Sequence, residues 1–288
     1  MKLAVIGLGL IGGSLARALR AGRAAGMQIV GFDTDAKQMR LAKDLGVVDQ
    51  VAEDAAKAVG NADVVVIAVP VLHTADALKA CLPGLKKTAI VTDVGSTKQS
   101  VLADVAKVCG GKAPPWFVAG HPIAGTEKSG VANSFAELFH NHRVILCPHP
   151  GQNVDARKRI ADLWRAVGAR VVEMEPAQHD AIFAATSHLP HLLAYSFVDM
   201  LARQPGQEEI FANAGGGFRD FTRIASSSPQ MWHDILRANQ ATVTKLLETQ
   251  IGELGNLLQL MREAKWDELK AVFERARSAR ERHLAQIE

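Results

Sequence analysis

The sequence predicts an α/β fold. A doubly wound, mostly parallel sheet spans residues 1–174, and an all-helical C-terminal domain spans residues 175–288. Three observations carry that expectation. Short apolar runs alternate with amphipathic stretches of helical length through the first half, and strands joined by helices pair in parallel. A glycine-rich turn follows the first apolar run. After Glu175 the strand signal stops and helical periodicity takes over.

The elements follow in order. LAVIGL (3–8) is a buried strand and leads into a helix over about 11–22. QIVGFD (28–33) is the second strand, and Asp35 caps the helix after it. ADVVVIAVP (62–70) is the third, closed by Pro70, and TAIVTDV (88–94) the fourth, followed by a helix over about 97–108. WFVAG (116–120), RVILCP (143–148), a helix at 153–167 and the strand ARVVEM (169–174) complete this half. Residues 178–202 and 229–285 read as helical, with Ser228 before Pro229 marking a helix start. Leu246, Leu247, Ile251, Leu254, Leu257, Leu258 and Met261 form a helical apolar stripe, which is either a domain core or a dimer interface.

Composition narrows the function classes. The 288 residues include 33 basic and 30 acidic ones, a formal charge of +3, with 48% hydrophobic residues. That is a folding-competent chain of about two domains. No dense Lys/Arg block suggests nucleic acid, and no run of eighteen apolar residues suggests a membrane span. Cys81, Cys109 and Cys147 are odd in number and lack a CxxC, so neither a disulfide framework nor a zinc site is expected. A reducing cytoplasm is the expected location. Met1, Lys2 and the run from Leu3 to Leu15 resemble a weak signal peptide, but Gly7, Gly9, Gly12 and Gly13 break it in a pattern with another explanation.

Gly7-Leu8-Gly9-Leu10-Ile11-Gly12 fits GxGxxG between a strand and a helix, a Rossmann-type dinucleotide fingerprint. Gly7 permits the tight turn, Gly9 the approach of a pyrophosphate, and Gly12 close packing of helix on strand. The helix N-terminus then offers free N–H groups to the phosphates. Asp33, 21 positions after Gly12, stands where a carboxylate holds the adenosine ribose, which favours NAD over NADP. Val69, at the end of the third strand, and Ser96 complete the expected cofactor-binding set.

Two polar clusters fall at strand ends, where ligands bind in such sheets: residues 93–98 and 120–127. His121 is expected on a short turn near the nicotinamide, as the base for a hydroxyl being oxidised. Ser96 could bond the imidazole or the substrate hydroxyl. His140, His142 and His149 are expected in solvent, and His73 could cap a helix. His188 and His191 share a helix face, but no third ligand supports a metal there. In the glycine-rich stretch 215–223, a tight backbone approach is expected, with Asp220 orienting Arg223 for a carboxylate.

Five stretches together resemble the prephenate/arogenate dehydrogenases of tyrosine biosynthesis. They are VIGLGLIGGSLARAL (5–19), DVGSTK (93–98), GHPIAGTEKSG (120–130), HDAIFAATSHLPH (179–191) and GGGFRDFTRIASSSPQMW (215–232). The resemblance implies an oxidative decarboxylation. NAD⁺ takes a hydride from the ring carbon bearing the hydroxyl, the ring carboxylate leaves as CO₂, and aromatisation drives the reaction. Prephenate gives 4-hydroxyphenylpyruvate and arogenate gives tyrosine. By the same resemblance His121 accepts the hydroxyl proton and Ser96 orients histidine and substrate. Arg223 binds a substrate carboxylate, His191 contacts the substrate's other end, and Glu127, Asp220 and Trp232 stand around the pocket. The resemblance also implies a homodimer through the helical domain. Some members of the family carry a fused chorismate mutase or a C-terminal regulatory domain, and neither is expected here.

Two other readings compete. A β-hydroxyacid or 6-phosphogluconate-type dehydrogenase would use a lysine as base, Lys98 or Lys128. A non-catalytic NAD sensor would be expected to have lost His121, Ser96 or Arg223, and all three are present.

Overall fold

The computed structural model describes residues 1–22 and 26–287. By internal contacts it divides into two units, Met1–Gln240 and Ala241–Glu288. In the first unit eight strands form one sheet: β1 (Lys2–Ile6), β2 (Gln28–Phe32), β3 (Gln50–Val51), β4 (Val64–Ile67), β5 (Ile90–Asp93), β6 (Phe117–Pro122), β7 (Arg143–Cys147) and β8 (Arg170–Glu173). Their spatial order is β3-β2-β1-β4-β5-β6-β7-β8, parallel throughout except that β7 runs against β6. The two-residue β3 lies outside any apolar run of the sequence, so composition could not announce it.

Helices connect the strands: α1 (Leu10–Ala21), α2 (Ala36–Asp44), α3 (Ala55–Val59), α4 (Thr74–Cys81), α5 (Gln99–Val108) and α6 (Val154–Ala166). Caps start three of them, since Asp35, Asp54 and Asn153 each accept a backbone N–H of the first turn. The strands read as unbroken apolar runs because both faces of the sheet are covered. Leu3, Val5, Val64 and Val66 point to one face, packing with Leu15 and Leu19 of α1 and Ile160 and Trp164 of α6. Ala4, Ile6, Val65 and Ile67 point to the other, with Leu78 of α4 and Val101 and Val105 of α5.

After β8 the chain is helical: α7 (Pro176–Phe183), a π-helical turn at Ala184–His188, α8 (Leu189–Ala202), α9 (Gln207–Ala212), α10 (Gly216–Thr222) and α11 (Pro229–Ala238). Pro190, at the second position of α8, has no N–H to give to the preceding turn, and the wide turn stands just before it. Trp232 and Ile235 of α11 join the second core face. These helices belong to the sheet's own unit.

The second unit holds most of α12 (Gln240–Arg262) and all of α13 (Trp266–Ile287). The stretch expected to be helical over 229–285 is therefore broken at Asn239 and around Ala264, which turns with a left-handed φ of 53°. Part of the expected apolar stripe on α12 is uncovered: Ile251, Leu254, Leu258 and Met261 are between 47% and 60% exposed, while Leu246, Leu247 and Leu257 are half-buried. Trp266 and Phe273 of α13 are equally open. A domain core does not look like this.

Candidate active site

The glycine turn is built by steric exclusion. A Cβ on Gly7, whose φ is +100°, would lie 2.4 Å from the Ala68 carbonyl oxygen. One on Gly12 would lie 2.2 Å from the Gly7 carbonyl oxygen and 3.0 Å from the Val5 side chain. A side chain at either position would push α1 off the sheet. Gly9 is different, because a Cβ there meets nothing within 4 Å. It faces open space at the carboxyl ends of β1 and β4, where the strand order reverses. Gly9 is also the N-cap of α1 and brings no side-chain cap. The N–H groups of Leu10, Ile11 and Gly12 precede the first intrahelical bond, made by Gly13 N–H to Gly9 O at 3.0 Å. An uncapped helix N-terminus against open space fits a pyrophosphate.

Asp33, one residue past β2, ties this turn down. Its Oδ2 accepts the Leu8 N–H at 2.6 Å and its Oδ1 accepts the Asp35 N–H at 2.9 Å. The Leu8 side chain is fully buried, so Leu8 supports the loop from inside rather than presenting a side chain to a ligand. Val69 is half-buried just beyond β4, beside the same crevice.

At the ends of β5 and β6 a buried ion pair sets the stage. Lys98, with no exposed surface, donates from Nζ to Asp93 Oδ2 and, at 2.6 Å, to the Gly120 carbonyl. Asp93 Oδ1 in turn accepts the Gly120 N–H at 3.1 Å. The residue after this clamp is His121. It lies within β6, paired opposite Ile145, and not on a turn as the sequence suggested. Glycine-proline punctuation around it read as a loop, but pairing with antiparallel β7 holds the segment extended.

His121 Nδ1 lies 2.8 Å from His179 Nε2, and His179 Nδ1 lies 2.8 Å from Asp180 Oδ1. Ser96 is half-buried on the turn before α5 and makes no hydrogen bond to the imidazole. His179 occupies the place expected for it. Burial, then the neighbouring charges of His179, Lys98 and His188, holds the His121 imidazole well below its ordinary pKa. Burial likewise lowers His179, against the opposing pull of Asp180. Burial alone would raise Asp180, but hydrogen bonds from His179 and from the Lys98 and Gln99 N–H groups bring it below the usual carboxylate value.

His191 and Trp232 form a second wall, their rings stacked at 3.5 Å and 20°. His191 Nδ1–H donates to the Ser187 carbonyl at 2.8 Å, which orients the ring. Burial lowers its pKa, with the Arg223 charge adding to the effect. The Tyr195 hydroxyl donates to the Ser227 carbonyl and ties α8 to the segment carrying Arg223. Arg223 is largely exposed, and its nearest carboxylate is Glu127, at 3.8 Å. Asp220 was expected to orient Arg223, yet it lies 3.9 Å from Arg219 with both side chains more than four-fifths exposed. Gly215, Gly216 and Gly217 have no neighbour closer than 4.0 Å to a built Cβ, so no tight backbone approach occurs there.

Five other histidines read from the sequence have settings of their own. Buried His188, brought to about 4 chiefly by burial, faces Asn239 Nδ2 with its Nδ1 at 3.2 Å. His188 and His191 thus have separate partners. His140 and His142 are exposed as expected, but His149 is half-buried, with Nε2 3.0 Å from the Phe117 carbonyl. His73 is at the N-cap position of α4 without a side-chain cap bond. The residues missed from the sequence are His179 and Asp180. The only signal was an adjacent His-Asp pair at the head of the stretch 179–191.

Comparison with known proteins agrees with this geometry. Residues 15–173 match the prephenate dehydrogenase nucleotide-binding domain and residues 175–275 the prephenate dehydrogenase dimerization domain. The cyclohexadienyl dehydrogenase of Zymomonas mobilis is 36% identical, over 96% of this chain and 94% of its own. The prephenate dehydrogenase of Bacillus subtilis is also 36% identical, over 96% of this chain and 74% of its own. Among solved structures, the A. aeolicus prephenate dehydrogenase in complex with hydroxyphenyl propionate and NAD⁺ superposes with a TM-score of 0.90 at 35% identity, covering 98% of each chain. With two domains matched in sequence along almost its whole length, this chain belongs to the prephenate dehydrogenase family.

Proposed function

We propose that this protein is an NAD-dependent dehydrogenase that oxidatively decarboxylates prephenate to 4-hydroxyphenylpyruvate, with arogenate the alternative substrate. The observation that carries the reading is His121. It is a neutral, half-buried imidazole at the carboxyl end of the sheet, clamped by the Lys98–Asp93 pair behind it. A neutral imidazole has a lone pair for a proton, and a protonated one does not.

The residues divide the work as follows. The N–H groups at the start of α1 hold the cofactor's pyrophosphate, and Asp33 accepts from its adenosine ribose and would repel a 2′-phosphate. When bound, NAD⁺ supplies the hydride acceptor. His121 takes the proton of the ring hydroxyl as carbonyl character develops, and returns it to the phenolic oxygen once the ring carboxylate has left as CO₂. Ser96, half-buried on the turn between β5 and α5, would hydrogen-bond the reacting oxygen or the nicotinamide. Arg223, held only loosely by Glu127, keeps donors for a substrate carboxylate. His191 and Trp232 form the wall against the substrate's side-chain end. Lys98 cannot serve as a base in the manner of the β-hydroxyacid enzymes, since its buried ammonium is committed to Asp93 and Gly120.

The helical C-terminal domain, taken from residue 175 onward, would carry substrate binding and a homodimer contact. The uncovered row Ile251, Leu254, Leu258 and Met261 supports that contact, as does the match to a dimerization domain. Among the described residues no helix is long and apolar enough to cross a membrane, and a cytoplasmic location suits the free cysteines.

The test is NADH formation by purified protein with prephenate and arogenate in separate cuvettes, repeated with NADP⁺. Turnover of prephenate with NAD⁺, accompanied by CO₂ release and an aromatic absorbance, is the expected result. No turnover in any cuvette by folded protein that still binds NAD⁺ would overturn it. NADH from a hydroxyacid without an aromatic product would favour the β-hydroxyacid reading.

A further inference from the structure

Which nitrogen of His121 takes the proton depends on where its own proton sits, and the hydrogen bonds behind it decide that. This rests on His121 being the base, as proposed above, and the relay behind it starts at Asp180. Asp180 Oδ1 accepts the Lys98 N–H at 2.7 Å and Oδ2 accepts the Gln99 N–H at 2.9 Å. Both oxygens are thus acceptors already, at the start of α5, where a helix terminus favours an anion. Asp180 is 1% exposed and His179 not exposed at all, so water cannot substitute for either partner. Asn239 Nδ2 donates to the Asp180 carbonyl at 2.9 Å and anchors the same residue from α11's end.

An ionised carboxylate only accepts, so the proton between Asp180 and His179 belongs to His179 Nδ1. A neutral imidazole carries one N–H, which leaves a lone pair on His179 Nε2. The 2.8 Å contact to His121 Nδ1 is then a hydrogen bond only if His121 is the donor. His121 therefore carries its proton on Nδ1, and its lone pair is on Nε2, which has no hydrogen-bond partner among the described residues. Ring packing prevents a flip, since His121 stands edge-on to both His179 and Phe183, each at 5.0 Å.

We propose that His179 and Asp180 are positioning residues that hold His121 in its Nδ1–H tautomer and so make Nε2 the atom that takes the substrate's hydroxyl proton. Neither needs to touch substrate. Without the relay nothing among the described residues dictates the tautomer, and a His121 carrying its proton on Nε2 presents a donor where the reaction needs an acceptor.

The direct test is long-range ¹H–¹⁵N NMR of the full chain with labelled histidine near neutral pH, with the His121 signal assigned by its loss in His121→Asn. The expected spectrum shows protonated Nδ1 and bare Nε2, and a bare Nδ1 in the native chain would overturn the proposal. This measurement needs no substrate. A native chain inactive on prephenate would strike the functional reading and leave the tautomer assignment standing. The kinetic test compares His179→Phe, which removes the acceptor, with His179→Gln, which keeps one near the Nε2 position. His179→Phe should lower kcat by about 10²-fold or more with KM nearly unchanged, the scale of a lost general base. His179→Gln should recover at least about tenfold of that loss, with NAD⁺ affinity native in both. Equal losses in the two variants, or a change confined to KM, would mean that the relay is only structural.

Discussion

Gly12 and Gly9 are three residues apart in one turn, yet alanine at each should fail for a different reason. At Gly12 the new Cβ would sit 2.2 Å from the Gly7 carbonyl oxygen, with Val5 and Ala68 at 3.0 and 3.1 Å. A backbone oxygen has no rotamer to escape to, so the strain belongs at the upper end of overpacking costs, ~3 kcal/mol. Alanine also favours the helix over glycine by ~1 kcal/mol, which offsets part. The net of ~2 kcal/mol corresponds to a fall in Tm of about 4–8 °C for a unit of this size. At Gly9 the Cβ meets nothing, and only a weaker N-cap is lost, at most ~1 kcal/mol and about 2–4 °C. Its Cβ would instead occupy the space in which the pyrophosphate approaches the helix, so NAD⁺ affinity should fall by about tenfold or more, ~1.4 kcal/mol. Thermal melts with and without NAD⁺, together with calorimetric titration, separate the two effects. A Gly12→Ala chain melting at the native temperature, or a Gly9→Ala chain with native NAD⁺ affinity, would refute the account of the turn.

Three further outcomes are expected. His188 is held at about 4 in the folded chain against 6.5 in the unfolded one, so between these values the unfolded chain binds the extra proton and stability rises with pH. That residue alone should remove about 2–3 kcal/mol at about pH 4.5, read as a falling Tm below about pH 6.5, and a flat Tm across that window would contradict it. Leu254→Asp, in the middle of the uncovered α12 row, should turn a dimer into a monomer in sedimentation velocity without lowering helicity, and an unchanged sedimentation coefficient would remove this row from the interface. Asp33→Ser should narrow the preference for NAD⁺ over NADP⁺ in kcat/KM. Because Asp33 also holds the Leu8 N–H, NAD⁺ efficiency should fall as well, and an unmoved ratio would free Asp33 of the role.

How much was legible follows from range. The strands between Lys2 and Glu173, apart from the two-residue β3, announced themselves as apolar runs, which a sheet covered on both faces needs over most of its width and which are a local property of the chain. The glycine turn was legible because the demands on Gly7 and Gly12 come from residues within the first βα unit and from the neighbouring strand. His121 was singled out as a candidate through its position after an apolar run, but its setting in β6 depended on β7 pairing from more than twenty residues away. The error at Asp220 has the same origin. A spacing of three suggested contact with Arg223, but α10 gives way to a 3₁₀ turn at Arg223, whose partner Glu127 comes from a distant loop.

By itself the sequence determined the order of the longer strands, the cofactor turn with its acid, and a histidine as the candidate base. Those features depend on neighbours a few residues apart, or on side-chain chemistry that does not change with context. Only the tertiary structure decided what surrounds that base. Lys98 meets Gly120 across 22 positions, His179 meets His121 across 58, and Asp180 meets the start of α5 across 82. It also decided that Ile251, Leu254, Leu258 and Met261 of the α12 stripe are left uncovered. Burial and hydrogen bonding at such separations come from how sheet and helices pack, and no spacing along the chain encodes them.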